Sequence, residues 1–151
     1  MGKSFVTKNA SSRERLRKLV NEITDEELNL VIYKEGWTIA VVLAHLAFWD
    51  ERRRVLIRKW KEKGVSASPF EEDIINDALV PFFLALPVRE AANMAIHTAE
   101  ALDHELEALS SDLITAIEIL GDRHALNRAI HRKMHLDEIE ALLKTKHTKD
   151  R

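Results

Sequence analysis

The sequence predicts an all-α fold, a four-helix bundle with short extra helices in its connections. Three observations lead there. Apolar residues recur at helical spacing through four long stretches. Turn formers are scarce, with four Gly and three Pro in 151 residues, so the elements must be long. No stretch shows the apolar–polar alternation of a half-buried strand, and no internal repeat or second domain interrupts the pattern. Residues 1–151 therefore read as a single domain, long enough to bury a substantial core.

Each element has its own signal. Residues 1–10 read as a polar, frayed lead-in. Ser11-x-x-Glu14 has the form of a capping box and opens a first helix from about Ser12 to Glu22, with Leu16, Leu19 and Val20 on its apolar side. Thr24-x-x-Glu27 is a second box, starting a short helical turn through Leu30, and Gly36 ends that connection. Thr38 caps a second long helix that stops at about Lys63, before Gly64. Its first half is apolar almost all round, as a central helix should be. Its second half is amphipathic, with Arg52, Arg53, Arg54 and Arg58 among Val55, Leu56, Ile57 and Trp60.

Gly64 to Phe70 reads as a loop, and Glu71 to Leu86 as a short helix or two interrupted near Pro81. Pro87 begins a third long helix reaching about Leu109. Ser110-Ser111-Asp112 caps a short helix through Leu120, and Gly121 ends it. Asp122 starts the fourth long helix, to about Lys144. Thr145 to Arg151 reads as a polar, frayed tail.

Composition removes several classes of function. Lys and Arg total 23 against 25 Asp and Glu, a balance that disfavours a nucleic-acid binder held by phosphate contacts. The absence of Cys excludes a disulfide framework, a thiolate metal site and a protein-borne redox thiol. Any thiol chemistry requires a thiol cosubstrate. Met1-Gly2-Lys3-Ser4-Phe5 lacks the apolar core of a secretory signal, and no apolar run approaches the roughly 20 residues of a membrane span. The expectation is a cytoplasmic protein with no membrane partner.

The chemistry-bearing residues are histidines. His131 and His135 form H-x-x-x-H in a helical pattern, a spacing that stacks them on one face. His45 lies in the most apolar helix, near Val42, Leu46 and Trp49. Two neutral imidazoles from one helix and a third from a facing helix make a three-nitrogen metal site with coordination positions left for water or substrate. The competing reading places the imidazoles on a partly buried flank, bonded to carbonyls or water. The Glu of H-E-x-x-H is missing, because Arg132, Lys133 and Met134 stand between the two His. A general base must then come from elsewhere, and Asp50 and Glu138 are the catalytic candidates. Glu138 continues the face of His131 and His135, as a hydrogen-bond acceptor behind a ligand, a fourth ligand or a surface carboxylate. Asp50 and Glu51 follow His45 by just over a turn, where a carboxylate reaches the ion or Arg53. Trp49 is either a pocket wall or a core residue. His97 and His104, near Glu100, read as a solvated or interface flank, and His124 and His147 need no function. The Arg52-Arg53-Arg54 run reads first as a solvated face, although Arg beside a metal can hold a carboxylate substrate.

Gly36-Trp37-Thr38-Ile39-Ala40-Val41-Val42-Leu43-Ala44-His45-Leu46 resembles the start of the second helix in the DinB-like family, also called the YfiT-like metal-dependent enzymes. There a Trp opens the helix and a His-Leu pair follows about eight residues later. His131-Arg132-Lys133-Met134-His135 is similar to that family's second ligand motif. The resemblance covers nearly the whole chain. It implies a four-helix bundle holding a divalent ion, zinc or nickel, through His45, His131 and His135. It also implies a metal-dependent enzyme acting on a small molecule, either by transfer of a low-molecular-weight thiol such as bacillithiol or mycothiol, or by hydrolysis. The alternative is a non-catalytic bundle that binds a small ligand or a partner, its histidines structural or vestigial. The amphipathic half of the second helix and the open face of the third suit a homodimer.

Overall fold

The computed structural model describes residues 2–149. Among these residues seven helices and one hairpin follow in order: α1 Ser4–Glu22, α2 Asp25–Leu28, β1 Val31–Tyr33, β2 Trp37–Thr38, α3 Ile39–Lys63, α4 Glu72–Leu84, α5 Val88–Glu107, α6 Ser111–Leu120 and α7 Ala129–Lys149. The four long helices α1, α3, α5 and α7 form the bundle, so the fold is the expected all-α one. Among the described residues no helix is long and apolar enough to cross a membrane.

Two apolar clusters, one toward each end of the bundle, fix the direction of every long helix. The first gathers Leu16, Leu19 and Val20 of α1, Ile39, Val42, Leu43 and Leu46 of α3, Ala91, Ala95 and Ala99 of α5, and Leu136, Ile139 and Leu143 of α7. The second gathers Phe5, Ile57, Trp60, Leu102, Leu106 and Leu126, closed by Ile114 and Ile117 of α6. Helix α1 runs from the second cluster to the first, α3 and α5 run the other way, and α7 returns. Since α3 and α5 are parallel, they need a crossover, and α4 supplies it. Phe83 of α4 packs on the first cluster, and the Trp49 indole of α3 donates to Asn76 Oδ1 of α4 at 2.8 Å.

Between the clusters lies a layer of buried polar groups, one or two from each long helix. Asn9 and Ser12 come from α1, Asp50 and Arg53 from α3, Asp103 from α5 and Arg132 from α7, with Arg128 just before α7. Arg132 is 1% exposed and is the largest fully buried side chain. Its Nη1 donates to Asp103 Oδ2 at 2.9 Å and its Nη2 to Asp103 Oδ1 at 2.8 Å, a two-pronged pair. Nη2 also reaches Asp50 Oδ2 at 3.2 Å, while Asp50 Oδ1 accepts from Arg128 Nε at 3.0 Å. Arg13 reaches Asp103 from the rim at 2.8 Å. Each buried carboxylate thus meets two guanidinium groups, which is what permits charge at this depth.

The layer explains where the sequence expectations fail. Helix α1 begins at Ser4 rather than near Ser12, so residues 4–10 are not a lead-in and Ser11 is not a cap. Phe5 is buried in the second cluster, and Asn9 is locked on both sides of its amide. Asn9 Nδ2 donates to the Leu126 carbonyl at 2.9 Å, and its Oδ1 accepts from the Arg128 and Ala129 backbone N–H at 2.8 and 3.2 Å. Asn9 of α1 therefore caps α7 from across the bundle. For the same reason α7 starts at Ala129, not at Asp122. Asp122 instead holds the preceding turn, with Oδ1 accepting from the His124 N–H and Oδ2 from Arg53. Helix α7 continues through Thr145 to Lys149, so that part of the expected tail is helical. Asp150 and Arg151 lie outside the described residues.

The other differences are local. The Gly36 connection contains a two-stranded antiparallel hairpin, with Val31 opposite Thr38 and Tyr33 opposite Trp37. Strands this short show no alternation to read. Glu35 and Gly36 turn the chain with φ of 69° and 83°. Helix α4 passes through Pro81 without a break. Asp77 and Pro81 are both exposed, so the carbonyl left free by the missing N–H can be hydrated. Three expected caps are in place. Thr24 and Glu27 form the reciprocal box, Thr38 Oγ1 accepts from the Val41 N–H at 3.1 Å, and Ser110 Oγ accepts from the Leu113 N–H at 3.2 Å.

Candidate metal centre

The three predicted histidines come together. His45 projects from the apolar first half of α3, and His131 and His135 from successive turns of α7, across the seam where α3 faces α7. His45 Nε2 stands 3.0 Å from His131 Nε2, and one nitrogen from each of the three rings lies within 4.8 Å of the others. The ring centroids form a nearly equilateral triangle, with His45 at 4.9 Å from His131 and 5.0 Å from His135, and His131 at 4.9 Å from His135. His45 and His135 are buried and His131 is half-buried.

This arrangement fits a metal ion. Tetrahedral bonds of about 2.0–2.1 Å would hold two ligating nitrogens roughly 3.3 Å apart, close to the His45–His131 distance. His135 Nε2 is buried and has no hydrogen-bond partner, a state a bound ion would relieve. No carboxylate or further histidine joins the group among the described residues. A three-ligand set leaves room for an exogenous molecule, which a structural zinc site does not.

Electrostatics keep the donors in their binding form. Burial pushes His45 down to about 3, with His135 adding to the effect and Asn76 opposing it. Burial pushes His131 down to about 2, helped by His135, His45 and Arg128. Burial lowers His135 as well, against the pull of Glu138. All three imidazoles are therefore neutral at neutral pH.

This predicts an acid-sensitive metal-free protein. The unfolded histidine titrates near 6.5, above the folded values, so the unfolded chain binds more protons below that pH. The stabilisation is complete above about pH 6.5 and is lost as pH falls toward the folded values. One unit below the reference value costs on the order of 1 kcal/mol per imidazole, so His45 and His131 together should lower stability at pH 5.5 by about 2–3 kcal/mol. Urea unfolding of the metal-free protein at pH 7.5 and 5.5 measures it. The pH dependence should shrink in a His45→Leu, His131→Leu double variant; equal dependence in both proteins would refute the assignment.

The carboxylate candidates lie elsewhere. Asp50 reaches neither the histidines nor Arg53, because both of its oxygens are taken by Arg128 and Arg132. It belongs to the buried polar layer rather than to the three-histidine group. Arg53 pairs instead with Asp122 at 3.0 Å. Glu51 turns outward to Arg54. Glu138 is half-buried beside the Tyr33 hydroxyl and is not part of the three-nitrogen group. Tyr33 itself lies 2.9 Å from His135 Nδ1. Trp37 meets the His45 ring edge-on at 5.3 Å, so the hairpin covers the site. His97 and His104 are exposed on α5, and His147 reaches Glu27 on the surface.

Trp49 is 9% exposed and belongs to both core and site, with its ring 6.4 Å from His45. It also lines a pocket of about 150 Å³ beside His131, with Arg52, Arg53, Phe70, His124 and Arg128 on its walls. Arg52 is not merely solvated. Its guanidinium lies over Phe70 at 4.4 Å and donates to the Ser68 carbonyl at 3.0 Å. Sequence reasoning missed Tyr33, Arg128 and Asn76: Tyr33 and Arg128 come from segments without a helical face to read, and Asn76 from the short helix α4, whose packing against α3 no spacing reveals.

Residues 10–143 match the family model described as the mycothiol maleylpyruvate isomerase N-terminal domain. No curated protein and no solved structure matches the chain significantly.

Proposed function

Because the chain belongs to the mycothiol maleylpyruvate isomerase N-terminal domain family, a DinB/YfiT-like helical family, we propose that it is a metal-dependent enzyme acting on a small molecule, by thiol transfer or hydrolysis. The observation that carries this reading is the convergence of His45, His131 and His135, with His135 Nε2 buried and unpartnered. A divalent ion held there, zinc or nickel, would supply Lewis acidity toward an electrophile or a low-molecular-weight thiol cosubstrate. The absence of Cys means that any nucleophilic sulfur comes from that cosubstrate.

The chain's own residues bind and orient. The pocket beside His131 has three guanidinium groups on its walls, those of Arg52, Arg53 and Arg128, against the carboxylates of Glu72 and Asp122. Burial lowers Arg52 and Arg53 from the usual guanidinium range, and among the described residues Arg52 makes no ion pair, so its positive charge is left unpaired. An anionic group on the substrate would compensate it, and Trp49 and Phe70 would flank the apolar part. Asp50 orients Arg128 from behind, which keeps that guanidinium at the pocket wall.

The test starts from metal content. Protein purified without a histidine tag should hold one zinc or nickel ion per chain after metal loading. The loaded protein should then conjugate a low-molecular-weight thiol to a carboxylate-bearing electrophile, or hydrolyse a corresponding ester or amide, faster than metal-free protein does. Absence of a stoichiometric ion under metal-replete conditions would end this reading.

A further inference from the structure

We propose that Asn9 is a positioning residue for the metal centre. Its side-chain amide reaches across from α1, holds the first turn of α7 and so sets the place of His131 against His45. This role rests on the three-histidine metal reading and goes beyond it, to what keeps one of those ligands still.

The three histidines are not equally secured by their own helices. His45 lies well inside α3 and His135 a full turn along α7, whereas His131 is the third residue of α7. The first N–H groups of a helix find no acceptor within it, so an uncapped first turn frays. At the start of α7 the acceptor comes from another helix. Asn9 Oδ1 accepts from the Arg128 N–H at 2.8 Å. It shares the Ala129 N–H, at 3.2 Å, with Asn127 Oδ1 at 3.1 Å. Asn127 thus backs up the second N–H, while the first depends on Asn9.

A cap of this kind must itself be fixed, and Asn9 is. It is 1% exposed in the interior of α1. Its backbone carbonyl accepts from Ser12 Oγ at 2.9 Å and from Arg132 Nη1 at 3.3 Å. Its Nδ2 donates to the Leu126 carbonyl at 2.9 Å, so the one amide grips the chain before α7 as well as at its start. Only a group that donates and accepts at once can do both. The consequence reaches the site directly. His45 Nε2 and His131 Nε2 stand 3.0 Å apart, and a binding constellation tolerates displacements of only about 0.5 Å. Fraying of the first turn would therefore take His131 out of the set and leave His45 and His135 in place.

Two readouts test the role. The first uses metal-free protein. The His45 ring lies 4.9 Å from that of His131 and 5.0 Å from that of His135, so proton cross-relaxation by NMR should connect both pairs in the wild type. In Asn9→Ala the His45–His131 contact should vanish while the His45–His135 contact stays. The second is zinc affinity by competition with a chromophoric chelator. It should fall about 5–30-fold in Asn9→Ala, the fraction of ordered first turn that a lost cap removes. Leu106→Ala separates placement from general weakening. It opens a cavity in the second cluster, so it should destabilise the fold yet keep zinc affinity within two-fold. Circular dichroism checks folding, and Asn9→Ser, too short to reach α7, replaces Asn9→Ala if that variant does not fold. An unchanged His45–His131 contact in the folded variant would overturn the role, as would equal losses of zinc affinity in Asn9→Ala and Leu106→Ala. Failure of the wild type to bind zinc or nickel would sink the metal reading, while the ring contacts would still judge whether Asn9 places His131.

Discussion

Replacing Arg132 with Ala is expected to destabilise the fold by about 3–5 kcal/mol, the cost of stripping one partner from a buried charge group. A domain of this size has only about 5–15 kcal/mol in total, so the variant should be mostly unfolded at modest urea concentration. The residue is 1% exposed, and its guanidinium bridges Asp103 and Asp50, both nearly as deeply buried. Without it, Asp103 retains only Arg13 at the rim and Asp50 only Arg128. The two carboxylates then face each other across a cavity. A volume-matched apolar pair, Arg132→Met with Asp103→Leu, should cost less than Arg132→Ala alone, because it removes both charges of the central pair together. A loss below about 1 kcal/mol in Arg132→Ala, measured by urea denaturation, would mean that water or another cation reaches the layer.

That layer also marks how far the sequence could be read. The four long helices follow from periodicity, and their caps follow from Thr24, Thr38 and Ser110. The polar layer was readable in principle. Arg132 continues the stripe Leu136, Ile139 and Leu143 at helical spacing, and Asp50 stands on the stripe Leu43, Leu46, Arg53 and Ile57. Asp103 lies between Ala99 and Leu106 in the same way, as Asn9 does between Phe5 and Ser12. Each of four helices places a polar side chain where the pattern demands an apolar one. Read singly, each looks like noise or, in the case of Asp50, like a candidate general base. Read together, they can only be buried against one another. What periodicity cannot supply is which side chains of distant elements meet. Asn9 meets Arg128 across 119 residues, and Tyr33 meets His135 across 102. These contacts set the true start of α7 and the distal partner of one histidine, and both escaped the sequence. The three histidines themselves were legible because two share a helix face and the third stands out in an apolar helix.

His131→Ala, His135→Ala and His45→Ala should each lose the ion while keeping the fold. Removing one of three ligating nitrogens leaves two, and among the described residues no carboxylate joins the group to replace it. The loss of zinc affinity should therefore exceed the roughly 10–100-fold attached to a lost distal hydrogen bond. Helical content should persist, because none of the three side chains belongs to either apolar cluster or to the Arg132 network. The metal-free variants should in fact unfold less readily in acid than the wild type, each having shed a buried base that must take up a proton on unfolding. Elemental analysis after dialysis, circular dichroism and turnover of the metal-loaded protein form the measurement. Turnover should vanish with the ion. One ion per chain retained in His131→Ala or His135→Ala would place the metal elsewhere, and undiminished turnover without the ion would remove the three histidines from the chemistry. The two results separate, because the first concerns where the ion is held and the second what it does.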